Sequence, residues 1–279
     1  MPELPEVEVL VKNLKKMIVQ RKIRDVQLIK PYILKTAKPS FRELVNRRVQ
    51  DVRRRGKYII VELYPTLFLI YHPKLTGSIV RNNIVRRDSS FALKMGNDYI
   101  LFSEAGTKKI SEIYLIEGIE NFKPFRLLGP DPFSQEFTPQ YIVKKFRGQG
   151  SWIFTMLINQ RFISGIGKAY ANEILFDAKI SPFKPARQIT TEEAENLYIS
   201  TRKVLRKAIK EIEKMVGDRL LLQEKRPFTK VYRKKGKPCP VCSTEIEWVS
   251  FKDYAIYYCP NCQTGGKIFK DRRLSKFLK

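Results

Sequence analysis

Histidine is almost missing from this sequence: His72 is the only one among 279 residues. With no partner near it in Tyr71-His72-Pro73-Lys74-Leu75-Thr76-Gly77, it reads as a structural hydrogen-bonding residue rather than a ligand or a base. Cysteine is absent from everything before Cys239. Long apolar runs are absent as well. No stretch reaches the 18 or so uncharged apolar residues of a membrane span. Near the N-terminus stands Glu3, where a signal peptide would need Lys or Arg ahead of an apolar core, so a cytoplasmic location is expected. Acidic residues are scarce beside basic ones: 28 Asp+Glu against 54 Lys+Arg, a net charge of +26 and a pI near 10.0. A thermophile surface would raise Glu along with Lys, and here the acids lag. An anionic membrane would also draw such a chain, but a nucleic acid is the favoured partner. Each phosphate neutralised on duplex DNA releases counterions, with a salt slope of about −0.9 per contact. Internal repeats and low-complexity tracts are lacking too.

The length is enough for two or three domains with a real core. Leu4, Val7, Val11, Leu14 and Ile18 recur at helical spacing and predict an amphipathic helix over 2–18. From about 23 to 117 the pattern turns β-like. Short runs rich in β-branched and aromatic residues (26–29, 57–63, 67–71, 78–82, 91–94, 99–102 and 113–116) predict a sandwich or barrel. Leu128-Gly129-Pro130-Asp131-Pro132 marks the best boundary. Beyond it, helices are predicted over 138–147 and 151–159. A Thr190/Glu193 capping box opens a longer helix to about Met215.

Four stretches carry chemistry. If the initiator methionine is removed, which a small second residue allows, the chain begins with the secondary amine of Pro2, followed by Glu3. Such an amine titrates near ~8 and can form an iminium with a sugar aldehyde, while Glu3 can move protons. The same residues equally suit a plain helix start. Lys57, in Arg55-Gly56-Lys57-Tyr58 at the mouth of an apolar strand, is a phosphate contact, a proton donor or merely a solvated strand end. Gly165-Ile166-Gly167-Lys168 precedes a helix whose N-terminus suits a phosphate, and a tight inter-helix turn is the alternative. Cys239-Pro240-Val241-Cys242 and Cys259-Pro260-Asn261-Cys262, with 16 residues between them, fit a four-cysteine zinc site on a two-stranded ribbon. A cytosolic chain disfavours disulfides, and a redox pair would not need the second knuckle. With no ligand position left open, one structural Zn2+ is expected.

Taken together and in this order, Met1-Pro2-Glu3-Leu4-Pro5-Glu6-Val7-Glu8, Arg55-Gly56-Lys57-Tyr58, Leu128-Gly129-Pro130-Asp131-Pro132, Gly165-Ile166-Gly167 with Tyr170 and Glu173, and the four-cysteine tail resemble the formamidopyrimidine-DNA glycosylase/endonuclease VIII family over nearly the whole chain. The resemblance implies an α+β multidomain protein. Its parts would be an N-terminal β-sandwich with an N-terminal helix (1–128), a helical domain with a helix–two-turns–helix motif (129–229) and a zinc finger (230–279). It also implies base-excision repair: N-glycosidic cleavage of an oxidised base, flipped out of the duplex, then β-elimination through a Schiff base. Pro2 would be the nucleophile at sugar C1′, Glu3 would manage protons, Glu6 would support the terminus, and Lys57 would contact phosphate or donate a proton. Leu75, Gly165, Gly167, Lys168 and Lys252 would touch DNA. Damaged double-stranded DNA is the implied partner of a monomer, with no membrane and no small-molecule cofactor.

Three departures from the family pattern stand out. Lys168 replaces the usual Asn after Gly-x-Gly, Tyr254 replaces the zinc-finger Arg, and Glu104-Ala105-Gly106-Thr107-Lys108-Lys109 replaces an Arg-Arg-Phe-Gly loop. Leu75 stands where a Met wedge is common. These changes fit a divergent branch better than the purine-specific member. Two alternatives are a non-catalytic damage- or structure-specific DNA-binding protein and an RNA-binding zinc-ribbon protein.

Overall fold

The apolar stripe of the N-terminal segment closes into helix α1, Leu4–Ile18, with Leu4, Val7, Val11, Leu14 and Ile18 all buried. The computed structural model describes residues 1–104, 110–220, 225–251 and 254–269. Two compact units divide the chain: Met1–Leu127 with Ile209–Lys225, and Leu128–Ala208 with Arg226 onward.

In the first unit, eight short strands form two four-stranded antiparallel sheets. One sheet has the order β1 (Asp25–Leu28), β6 (Ser89–Met95), β7 (Asp98–Glu104), β5 (Gly77–Asn82). The other has the order β2 (Val49–Arg55), β3 (Tyr58–Leu63), β4 (Leu67–His72), β8 (Glu112–Glu117). Val26, Phe91, Leu93, Ile100 and Phe102 from the first sheet share one core with Val52, Ile59, Val61, Leu69 and Ile113 from the second, and α1 packs into it. This is the sandwich; a closed barrel would join the sheet edges, and no such pairing occurs among the described strands. The sequence pattern gives no strand at 49–55, yet β2 lies there. Only Val49 and Val52 are buried, and the remaining residues are polar and partly or fully exposed. Asn13 of α1 holds the segment that follows the long helix, donating to the Gly217 and Arg219 carbonyls at 2.7 and 3.0 Å.

The stretch Met1–Leu127 ends with the single turn α2 (Lys123–Arg126), and the second unit holds α3 (Pro139–Phe146), α4 (Ile153–Ile158), α5 (Lys168–Asp177) and the start of α6 (Thr191–Val216). Thr138 caps α3, and Thr190 and Glu193 exchange hydrogen bonds of 3.1 and 2.9 Å to open α6. A ribbon follows: β9 (Glu247–Phe251) pairs antiparallel with β10 (Tyr254–Tyr258), and the short α7 (Pro260–Thr264) closes it. No helix among the described residues is long and apolar enough to cross a membrane.

Candidate catalytic terminus and metal centre

The first turn of α1 is fixed before any side chain reaches out from it. Glu3 is the N-cap, and its N–H donates to the carboxylate of Glu6 at 2.8 Å while the Glu3 side chain accepts from the Glu6 backbone. This reciprocal box satisfies two otherwise orphaned donors. Pro2 is buried, Glu3 is 4% exposed and Glu6 is wholly covered. Two carboxylates at a helix N-terminus gain from its dipole, and the residue before them cannot fray freely.

Ion pairs align α1 with β2. Lys15 meets Asp51 at 2.5 Å, and Glu8 pairs with Arg54. Seven helical residues and three strand residues each span about 10 Å, so the two elements run side by side in register. Continued for one further step, the helix arrives at Pro2 and the strand at its hairpin turn. That turn is the two-residue loop Gly56-Lys57 between paired Arg55 and Tyr58. Gly56 takes the left-handed backbone at φ 57, the Gly-first pattern of a type II′ hairpin. The buried start of α1 and the hairpin that carries Lys57 therefore lie toward the same end of the aligned helix and strand. Lys57 is only 5% exposed, not a solvated strand end.

His72 ends β4 at the end of the sheet where β3 begins. Burial, then the Lys74 and Lys57 ammonium groups, push its pKa down to about 3. Its Nδ1 accepts the Lys74 N–H at 2.9 Å, and its ring meets Tyr58 edge-on at 4.4 Å. The structural role expected of the lone histidine holds: neutral His72 shapes the turn 73–76. Lys74 sits at φ 49 within it, and Leu75 projects 53% exposed from it. Glu104, at the end of β7, is buried and accepts from the Tyr32 hydroxyl at 2.6 Å and the Ser111 N–H at 2.7 Å. The rest of the 104–109 replacement loop, and Lys252, lie outside the described residues.

In the second unit the predicted anion turn is clamped by a residue that sequence reasoning missed. The Gln160 side chain accepts from the Gly165 N–H at 2.9 Å and donates to the Ile166 carbonyl at 2.6 Å. Gly165 lies at φ 92, a region open mainly to glycine, and Gly167 is the N-cap of α5. Lys168 is the first residue of α5 and exposed. A clamped turn aimed along a ten-residue helix presents backbone donors and dipole together.

The four cysteine sulfurs lie within 4.8 Å of one another, with contacts of 3.4, 3.4 and 3.9 Å. Four thiolates at 2.3 Å from a tetrahedral zinc would stand about 3.8 Å apart, so the donor set fits. The Val241 N–H points to the Cys239 sulfur and the Cys262 N–H to the Cys259 sulfur, each at 3.4 Å. Three further side chains, two of them on α5, seat this module. Glu173 accepts three backbone N–H groups, from Lys230, Val231 and Tyr232, at 2.8 to 2.9 Å. Asn172 accepts from the Tyr257 N–H at 2.7 Å, and Gln263 donates to the Ile180 carbonyl at 3.0 Å. Side chains that bond distant backbone leave no local pattern, so nothing in the sequence could have assigned these partners.

Three family models match the chain. The formamidopyrimidine-DNA glycosylase N-terminal domain covers residues 1–104, the H2TH domain of that glycosylase covers 128–218, and a zinc finger found in FPG and IleRS covers 236–265. Formamidopyrimidine-DNA glycosylase of Symbiobacterium thermophilum is 32% identical over 94% of this chain and 89% of its own length. That of Pelotomaculum thermopropionicum is 30% identical over 94% and 99%. Among solved structures, Lactococcus lactis formamidopyrimidine-DNA glycosylase bound to DNA containing an abasic site matches with a TM-score of 0.83 and 26% identity. It covers 94% of this chain and 99% of that one. The same enzyme on DNA carrying an N7-benzyl-Fapy-dG gives 0.85 and 27%, covering 94% and 100%. With the zinc-finger model lying over the clustered sulfurs, the tail is a site for one structural Zn2+. A capped and buried N-terminal turn on a sandwich, a glycine turn before a helix and a four-thiolate ribbon thus recur in one order over nearly the whole length, and the chain belongs to the formamidopyrimidine-DNA glycosylase family.

Proposed function

We propose that this protein is a base-excision-repair DNA glycosylase with AP lyase activity on damaged double-stranded DNA, working as a monomer in the cytoplasm. The observation that carries the proposal is the buried, reciprocally capped Glu3-Glu6 turn behind Pro2, on a helix that ion pairs align with the strand leading to buried Lys57. Residues 1–128 would supply the chemistry, and 129–229 with 230–279 would grip the DNA. Once Met1 is removed, the Pro2 nitrogen forms a bond to sugar C1′ as the base departs with its bonding electron pair. Glu3, held at the helix start, carries the proton needed for ring opening. The resulting iminium acidifies C2′; loss of that proton breaks the C3′–O bond and releases the 3′ phosphate. Glu6 keeps the turn in place, and Lys57 meets a phosphate or supplies a proton. The turn at Gly165, Gly167 and Lys168 binds backbone phosphate, Leu75 enters the space beside a displaced base, and Lys252 adds a DNA contact. Zinc, bound by Cys239, Cys242, Cys259 and Cys262, shapes the ribbon and enters no step.

Borohydride reduction of a mixture with abasic-site duplex tests this reading. Met-processed protein should become covalently attached to the DNA. Pro2→Leu, whose bulky second residue retains Met1, should lose the adduct by at least 100-fold while still binding the duplex. Tight binding by processed protein without any adduct would instead leave a non-catalytic damage-binding protein.

A further inference from the structure

The outward face of the ribbon carries a row of rings that the reaction above does not use. Trp248 and Tyr257 are direct cross-strand partners. Alternation along β9 and β10 turns Val249, Ile256 and Tyr258 inward and puts this pair on the other face, Trp248 37% exposed and Tyr257 half-buried beside the knuckle core. Their rings lie within 24° of parallel with centroids 6.3 Å apart, and Tyr232 meets Tyr257 edge-on at 5.6 Å. Cations stand at both ends of the row. Lys235 lies 5.3 Å over the Trp248 ring and Arg233 lies 5.4 Å over Tyr232. The row is held from beneath: Asn172 takes the Tyr257 N–H and Glu173 takes the Tyr232 N–H. Between 230 and 237 the chain has five basic residues (Lys230, Arg233, Lys234, Lys235 and Lys237) and no acidic one.

We propose that this face is a stacking platform for single-stranded DNA. A large aromatic side chain left open to water forgoes burial that rings of its size normally obtain, and a π-face flanked by cations suits a nucleobase joined to phosphates. Duplex DNA does not meet the need, because its bases already cover one another's faces. A free inorganic anion does not meet it either, because it has nothing to lay on a ring. An unpaired strand offers both: a base takes the Trp248 face, and the displaced Lys235 ammonium moves to the adjoining phosphate. The Tyr257 and Tyr232 rings continue the track toward Arg233.

The chain has two tryptophans, Trp152 and Trp248, so a Trp152→Phe background isolates the signal of interest. Titrating that zinc-loaded protein with oligothymidine should quench Trp248 fluorescence, with a midpoint that moves to higher concentration as salt rises. Trp248→Ala should weaken oligothymidine binding, read by anisotropy of a labelled strand, by roughly 5- to 100-fold. Trp248→Phe should recover much of the loss. Borohydride trapping on a short blunt abasic duplex should be unchanged in Trp248→Ala, which separates this site from the Pro2 chemistry. Absence of quenching by oligothymidine would overturn the proposal, as would equal quenching by inorganic polyphosphate. Unchanged oligothymidine affinity in a Trp248→Ala protein of full zinc content would do the same. If that variant does not fold, the quenching result decides alone.

Discussion

Neutral His72 bonds the backbone of the turn it precedes, so the turn presenting Leu75 depends on an uncharged imidazole. Its folded pKa of about 3 lies below the ordinary 6.5 of an unfolded histidine. The unfolded chain therefore binds the extra proton first, and stability is full above pH 6.5 and falls as pH drops toward 3. The slope from this one group is about 1.4 kcal/mol per pH unit within that window. Urea melts of the wild type and of His72→Gln between pH 7 and 4 should diverge, the variant losing less on acidification; equal slopes would mean another group is responsible. Gly77 closes the same turn. A Cβ there would lie 2.7 Å from the Pro73 carbonyl oxygen, 2.8 Å from its Cα, and against the buried Tyr71 hydroxyl. Gly77→Ala should lower stability by about 1–3 kcal/mol and weaken binding of damaged duplex. A variant with unchanged melting would show that the turn yields at no cost. Glu3 allows a sharper division of labour. If Glu3 carries the proton for base loss and ring opening, Glu3→Gln should lose base excision by 100-fold or more. It should lose borohydride trapping on pre-formed abasic sites far less, because no base remains to leave and part of that sugar already stands open as the aldehyde. A proportional loss of both activities would point to a collapsed first turn instead.

Helix α5 works as a bracket: its N-terminus follows the glycine turn, and its middle holds the metal ribbon through Asn172 and Glu173. Glu173 is buried, and burial pushes its carboxyl upward while the three backbone donors and Lys230 pull it back. Removing it leaves three backbone N–H groups without an acceptor, each costing about 1–3 kcal/mol. Glu173→Ala should therefore speed amide exchange at 230–232 and ease zinc extraction by chelator, with β2–β8 exchange unaffected. Unchanged protection at 230–232 would mean that water replaces the carboxylate without penalty. Much at this scale was legible beforehand. The helical spacing from Leu4 to Ile18, the Thr190/Glu193 box and the two cysteine knuckles each announce their element, because the signal lies in residues a few positions apart. Strand β2 was not legible. Its Arg-rich outer positions are stabilised by partners on other elements, Arg53 with Glu62 and Arg54 with Glu8. Among site residues, the burial of Lys57 and the Gln160 clamp were equally hidden, since both arise from contacts the chain makes only after folding.

At the scale of the whole molecule, charge is the organising quantity. Of the 54 basic residues, several are tied down locally: Lys12 to Glu213, Lys16 to Asp218, Arg81 to Asp98, Arg86 to Asp88, Lys184 to Glu193. Such exposed pairs contribute about 0–1 kcal/mol each to stability, so they do not explain why the excess exists. With 28 acids available, neutralising every one of them still leaves the formal net charge of +26. That remainder repels itself in the folded state and favours a polyanion as partner. Phosphate neutralisation predicts a straight line of log K against log salt with a slope near −0.9 per phosphate on duplex DNA. If Lys168 meets one phosphate, Lys168→Ala should make the slope shallower by about one and weaken binding alike on damaged and undamaged duplex. Leu75→Ala should do the reverse: the slope stays, and the preference for damaged over intact DNA shrinks, because an apolar side chain releases no counterions. Filter-binding or anisotropy titrations across a range of salt would separate the two. A slope unaltered in Lys168→Ala would remove that lysine from the phosphate contacts, while a slope altered in Leu75→Ala would mean that Leu75 acts through the placement of neighbouring cations such as Lys74.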